Sequence, residues 1–226
     1  MSPLLVLTAV IPGLLICYVV FRLDKYEREP FLPMLYSFLL GTLITLPAVF
    51  IEMGAFSLDQ HMDFLLWLKP FLLAYFIIGL GEELLKYLVL RFYAFPRPFF
   101  NEPLDGIVYA VLIAMGFATA ENLIYAERFG METVVLRVFT AVPAHLVFAL
   151  VQGYYAGLAK FQTGEKRQKL LMKGLGIAVL LHGTYDFLLL QRWLDWLFVF
   201  ATTAVYLSLY YTSNFIREHQ ENSPFK

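Results

Sequence analysis

Cysteine is almost absent: Cys17 is the one thiol in 226 residues. No intrachain disulfide can form, and the redox compartment cannot be read from thiol usage. Charge is scarce as well. Asp, Glu, Lys and Arg make up 15% of the chain, where a soluble domain carries about 25%. The two signs nearly cancel, leaving a formal net charge of −1, so there is no electrostatic case for nucleic acid or for an acidic partner. No HExxH string occurs, which removes the simplest helical zinc-protease signature. Internal repeats, low-complexity tracts and domain-sized linkers are also missing.

What fills the chain is apolar. Hydrophobic residues are 60% of it, against about 45–50% in an ordinary globular domain. Crossing a bilayer core takes roughly 20 apolar residues, and seven stretches qualify: 3–21, 34–54, 64–92, 104–126, 133–159, 170–190 and 194–216. The pattern predicts an all-α, polytopic integral membrane protein of about seven transmembrane helices. Pro70 is expected to divide an interfacial segment, 58–69, from the third span, and the last two spans to turn as a hairpin at Gln191-Arg192. Met1 to Phe21 lacks a positively charged start and a small-x-small cleavage site, and reads as a retained span rather than a removed signal peptide. Twelve Lys and Arg residues fall on one side of this arrangement (Arg22, Lys25, Arg28, Arg91, Arg97, Lys160, Lys166, Arg167, Lys169, Lys173, Arg217, Lys226) and four on the other (Lys69, Arg128, Arg137, Arg192). The excess of positive charge marks the cytoplasmic side, which predicts an outside N-terminus and a cytoplasmic C-terminus.

A charge at the bilayer centre costs about 2.5–3.5 kcal/mol on the lowest scales, so ionisable groups inside the spans need a reason. Span 3 carries Glu82, Glu83 and Lys86; span 4 carries Asp105 and Glu121-Asn122; span 5 carries His145 and Gln152; span 6 carries His182 and Asp186; span 2 carries Glu52 near its outer end. The concentration in spans 3 to 6 predicts a polar cavity built from those helices. Glu82 and Lys86 are i,i+4 with the acid first, the better orientation for a pair, while Glu83 has no further partner within its own helix. His182 and Asp186 share a face at i,i+4, and His145 and Gln152 at i,i+7. Singly, each has a structural explanation. Glu82–Lys86 reads as a neutralised pair, a lone histidine as an interhelical hydrogen bond, and Asp105 as a first-turn acid behind Pro103. Glu121-Asn122 reads as a helix end, Gln152 and Glu52 as packing or interfacial groups, and Gly153-x-x-x-Gly157 as a close helix approach. Jointly they are the inventory of a catalytic or metal-binding site, or of a proton or cation path.

The order and spacing of several strings resemble the PrsW family of bacterial intramembrane proteases. They are Asp24-Lys25-Tyr26-Glu27-Arg28-Glu29-Pro30, Glu82-Glu83-x-x-Lys86, Asp105-Gly106-Ile107-Val108-Tyr109, Gly116-Phe117-Ala118-Thr119-Ala120-Glu121-Asn122, His145, and His182-Gly183-Thr184-Tyr185-Asp186. The resemblance covers about residues 10 to 190 and extends to the related type II CAAX prenyl proteases. That wider group has EExxxR, FxxxH and HxxxN/D; here Lys86 replaces the arginine one position early, and Phe117-x-x-x-Glu121 carries Glu in place of His. The resemblance implies one membrane-embedded protease domain over 1–226 in a bacterial plasma membrane. It also implies a membrane-anchored protein substrate, in PrsW systems the first, extracytoplasmic cut of a transmembrane anti-sigma factor in a stress response.

Peptide hydrolysis needs an activated water, an oxyanion stabiliser and a proton for the leaving amine. Adjacent Glu82 and Glu83 suit the base, with the choice between them open. His145 or His182 suits the oxyanion or the proton, and Lys86, Glu121, Asn122 and Asp186 suit supporting roles. No cofactor is favoured. Zinc is the alternative, on His145, His182 and either Glu121 or Glu83. A non-proteolytic transporter or immunity-type protein is the alternative outside enzymes. Glu82 lies about 18 Å below the start of its span at 1.5 Å per residue, and Glu121 about 8 Å from the outer end of its own, so a shared site needs a third helix tilted or displaced outward, or a deep funnel, and a water-filled cavity open to the outer side is expected.

Overall fold

The first helix starts where Ser2 Oγ accepts the Leu5 N–H at 3.3 Å and Pro3 takes the first helical position, where its missing N–H costs nothing. The structure, a computed structural model, describes residues 1–59, 68–191, 194 and 196–226. It is helical throughout, with no strand among the described residues. α1 runs Pro3–Leu23, α2 Phe31–Asp59 and α3 Leu68–Leu72; a π-helical segment Leu73–Gly79 leads into α4, Leu80–Val89, and a second one comes after it over Leu90–Ala94. α5 is Pro103–Phe139, α6 Ala141–Lys160, α7 Gly164–Leu190 and α8 Leu197–Glu221.

Among the described residues, five helices are long and apolar enough to cross a bilayer: α1, α2 over Phe31–Ala55, α5, α6 and α7. The seven expected spans therefore reduce to five by that measure, for two physical reasons. The expected third span is not one α-helix, because two π segments interrupt it. The expected seventh, α8, dilutes its apolar residues with Thr, Ser, Asn and Tyr. The expected break between the fourth and fifth spans is present as a kink within α5, and a second break follows inside the expected fifth span. α5 continues to Phe139 through a kink at Gly130 (φ 79°), and the chain breaks again at Thr140 (φ −125°, ψ −70°). The expected interfacial segment at 58–69 falls largely on 60–67, and the Arg192 turn on 192; both lie outside the described residues.

α5 is the axis. Its first sixteen residues, Pro103 to Ala118, are buried without interruption, packed by α1, α2, α6 and α8. α1 and α2 turn leucines and aromatics outward, including Leu7, Ile11, Leu43 and Phe50, as a lipid-facing surface requires. α5 and α6 meet backbone to backbone. A methyl group on Gly106 would strike the Gly153 carbonyl, and one on Gly157 would strike the Pro103 carbonyl. The Gly153-x-x-x-Gly157 spacing thus marks a true helix contact of the small-residue kind.

Helix ends sort into two groups. At one end Gln220 donates to the Leu23 carbonyl at 2.5 Å, and Lys160 donates to the carbonyls of Phe95 at 2.5 Å and Arg97 at 3.3 Å. At the same end Ser223 donates to Glu102 and Tyr109 to Glu29. At the other end Tyr206 donates to the Phe139 carbonyl at 2.9 Å. Gly157→Ala is expected to lower the melting temperature of detergent-solubilised protein, by about 1–3 kcal/mol of stability. Gly176→Ala, whose added methyl meets nothing within 4 Å, should raise it by about 0.5–1 kcal/mol. Circular dichroism melts of the two variants check the pair.

Candidate active site

α4 is an inverted amphipathic helix. Glu82, Glu83 and Lys86 are 3%, 1% and 3% exposed, while Leu80, Leu84 and Leu88 lie on its exposed side. A π turn adds a residue to the helical repeat and so rotates the helix beyond it. The π segments on both sides of α4 thus set which of its faces looks inward. The inward face puts three charges against α5, α6 and α7, and each finds a partner there or within α4.

The Lys86 ammonium is the hub. Nζ donates to Glu82 Oε2 at 3.1 Å and Glu83 Oε1 at 2.8 Å, and lies 3.1 Å from His145 Nδ1. The fourth side is the ring of Phe117, whose centroid is 4.3 Å from Nζ. An ammonium can only donate, so His145 Nδ1 accepts and its proton sits on Nε2, which faces Glu121 Oε2 at 3.1 Å. His145 is therefore neutral. His182 differs. Its Nδ1 lies 2.9 Å from Glu83 Oε1, and its Nε2 lies 3.2 Å from Asp186 Oδ2 and 4.0 Å from Glu82 Oε2. Carboxylates at both nitrogens are met by an imidazolium. Phe148 stacks on its face at 4.6 Å between ring centroids.

Glu83 is thus not the acid without a partner that i,i+4 counting makes it. Lys86 bonds it at i,i+3, more closely than it bonds Glu82, and the Gln152 amide reaches its backbone carbonyl at 3.4 Å. Glu82 is the carboxylate with room. It lines a cavity of about 390 Å³ together with Glu121, Arg137, His145, His182 and Asp186; Glu83 does not line it.

All eight residues singled out from sequence, Glu82, Glu83, Lys86, Glu121, Asn122, His145, His182 and Asp186, belong to one connected polar cluster. Asn122 joins through Arg137, whose Nε donates to Asn122 Oδ1 at 2.8 Å and whose Nη2 lies 2.6 Å from Glu121 Oε2. Counting charges by side assigns Arg137 to the outer face alone; the missed signal is its place in the apolar run Val134 to Phe139. Glu52 reads from sequence as an interfacial group, yet it lines the cavity from α2, and Phe198 lines it from α8. The cavity is therefore not confined to the third to sixth spans, because residues of α2 and α8 also line it.

A metal fits the donor set with one change to the expected ligands. Glu82, Glu83, His145 and His182 offer ligand atoms that all lie within 4.8 Å of one another, and tetrahedral zinc at about 2.0–2.1 Å needs its donors about 3.3 Å apart. Glu121 is not one of the four; it is turned to Arg137 and to the far nitrogen of His145.

Residues 29–213 match the family described as PrsW family intramembrane metalloprotease. Protease PrsW of Geobacillus kaustophilus (strain HTA426) is 35% identical over 193 residues, 84% of this chain and 82% of that protein. Protease PrsW of Bacillus subtilis (strain 168) is 32% identical over 191 residues, 84% and 85% of the two chains, and that of Clostridioides difficile (strain 630) 32% over 198 residues, 84% and 81%. No solved structure matches this chain. A buried Glu-Glu-Lys-His-His cluster beside a cavity, inside a bundle of apolar helices, is the setting in which such a match has chemical meaning, and the chain belongs to the PrsW family of intramembrane proteases.

Proposed function

We propose that the cluster hydrolyses a peptide bond of a membrane-anchored protein, with Glu82 as general base, His182 as oxyanion stabiliser and proton donor, and Glu83 and Lys86 as the groups that position them. The observation that carries this reading is the unequal placing of the two glutamates. Glu82 faces the cavity, and Glu83 is enclosed between Lys86 and His182. A water held by Glu82 loses its proton to the carboxylate as it attacks the carbonyl carbon. His182 Nε2 lies between Glu82 and Asp186, where a doubly protonated ring can face the developing oxyanion and then protonate the leaving nitrogen. His145 and Glu121, tied to Arg137, hold the opposite wall.

The second reading keeps the residues and adds a metal. Glu82, Glu83, His145 and His182 would hold a zinc ion, which when bound polarises the scissile carbonyl and acidifies its water. The mutual approach of the four ligand atoms favours it. The bonds of Lys86 to both carboxylates and its 3.1 Å approach to His145 favour the first reading, because a cation already sits where they converge.

We further read residues 1–226 as one protease domain in the bacterial plasma membrane, with the N-terminus outside and the cavity opening toward the outer face. The substrate is then a single-span protein cut on its extracytoplasmic side, an anti-sigma factor by extension from the family resemblance. A carrier would need a polar path to both faces, and a scaffold would tolerate loss of either glutamate.

Glu82→Gln should cut proteolysis of a co-reconstituted single-span substrate by about 10²–10⁴-fold, with a smaller loss of stability than Glu83→Gln because Glu83 remains as the nearer counter-charge of Lys86; cleavage at the wild-type rate would sink the assignment. Glu83→Gln should lose activity and also stability, by about 3–5 kcal/mol, because it strips a buried ammonium of its nearest counter-charge. Its melting temperature should recover when Lys86→Met is added, without recovery of activity. Metal content by mass spectrometry, with cleavage assayed before and after chelation, separates the two chemistries. Full activity in zinc-free protein is the expected result, and loss restored by zinc establishes the second reading.

A further inference from the structure

Two strings singled out from sequence, Asp24 to Pro30 and Asp105 to Tyr109, take no part in the catalytic cluster. They meet at the far end of the bundle, since the sixteen residues from Asp105 to Glu121 along α5 span about 24 Å. Four carboxylates are buried there: Asp24 at 2% exposure, Glu29 at 4%, and Glu102 and Asp105 at 0%. Each has one oxygen engaged and one left over. Asp24 Oδ2 accepts the Glu29 N–H at 3.1 Å, and Asp105 Oδ2 accepts the N–H groups of Asn101 and Glu102 at 2.6 and 2.8 Å. Glu29 Oε2 accepts from the Tyr109 hydroxyl, and Glu102 Oε2 from the Ser223 hydroxyl. The second oxygen of all four is buried and receives no N–H or hydroxyl donor, as is Oε2 of the half-buried Glu27; the acids instead face one another in pairs, Asp24 with Glu102 and Glu29 with Asp105.

Helix capping explains the engaged oxygens only. Oxygens of Glu27, Glu29 and Asp105 come within 4.8 Å of one another. Nearby cations are committed elsewhere: Arg22 to the Tyr18 hydroxyl, Arg28 over the Phe21 ring, Lys160 to the carbonyls of Phe95 and Arg97. Among the described residues no Lys or Arg forms an ion pair with any of the five acids. Orphaned buried carboxylate oxygens are among the costliest groups a fold can keep. Five of them gather at this one end of the bundle.

We propose that this end of the bundle binds a hard divalent cation of the magnesium, calcium or manganese type, with Glu27, Glu29 and Asp105 as ligands and the spare oxygens of Asp24 and Glu102 beside it. An all-oxygen, all-carboxylate donor set selects such ions over zinc, which prefers nitrogen and sulfur. The ion ties the α1–α2 connection to the start of α5 and, through the Glu102–Ser223 bond, to the C-terminal residues. It acts as a clasp on four helix ends, separate from the chemistry at Glu82.

The test is a titration of the full chain in detergent with manganese alone, read by electron paramagnetic resonance. One bound ion without imidazole-nitrogen coupling in the pulsed spectrum is expected, and it should persist in the His145→Ala/His182→Ala variant. Glu29→Gln/Asp105→Asn should abolish it. Glu27→Gln, a change at a half-buried position that leaves the core intact, should weaken it at least tenfold and serves if the double variant does not fold. Absence of bound manganese at millimolar concentration, coupling to imidazole nitrogen in every bound ion, or unchanged binding by Glu27→Gln would each overturn the proposal and leave the five carboxyls sharing protons among themselves.

Discussion

The ammonium of Lys86 is buried and carries a desolvation cost that only close anions and lone pairs can offset. Glu82, Glu83 and His145 supply them at 2.8 to 3.1 Å, and Phe117 closes the remaining side. Much of the architecture answers that demand. α4 must turn its charged side inward and its leucines outward, opposite to a helix in a soluble protein. Neighbouring helices must come close enough to deliver short polar contacts, and the glycine contact between α5 and α6 brings two of those helices together.

Charge compensation then propagates. Asp186, His182, Glu83, Lys86, His145, Glu121, Arg137 and Asn122 are linked in sequence by contacts of 2.6 to 3.2 Å, drawn from α4, α5, α6 and α7. No member is an isolated charge, so the cluster can remain ionised inside an apolar bundle. Within it the two neighbouring glutamates differ only in what surrounds them. Glu83 is enclosed by donors; Glu82 keeps a face toward the cavity. Adjacent carboxylates on one helix, about 100° apart, are thereby given separate work by the helices they meet.

The residues of this cluster were legible in the sequence because apolar runs make polar residues conspicuous. Glu82, Glu83, Lys86, His145, His182 and Asp186 stand out against their surroundings, and helical spacing places several of them on shared faces. What spacing could not tell was partner choice across helices. Lys86 reaches Glu83 and His145 as well as Glu82, and that depends on how α4 is rotated. The rotation depends on π turns, which composition does not mark. Arg137 escaped notice because a kink at Gly130 and a break at Thr140 return an apparent outer-face residue to the cavity wall. Glu52 lies near the C-terminal end of α2, where an acid is ordinary, and only the packing of α2 beside the other helices makes it part of the cavity wall. The continuity of the third span was illegible for a related reason: hydropathy sums over a stretch without asking whether its hydrogen bonds form one α-helix, and π turns interrupt this one.

The inverted face of α4 also has a bearing on how the chain is put together in the membrane. His145 and His182 are made 59 and 99 residues after the groups they contact. As α4 leaves the ribosome, its two carboxylates have one ammonium between them and no imidazole to lean on. α4 itself, Leu80 to Val89, therefore carries one negative charge more than positive between its π-helical flanks, and its inward face is completed by segments not yet synthesised. Assembly of the polar cluster and settling of this helix in the bundle are one event.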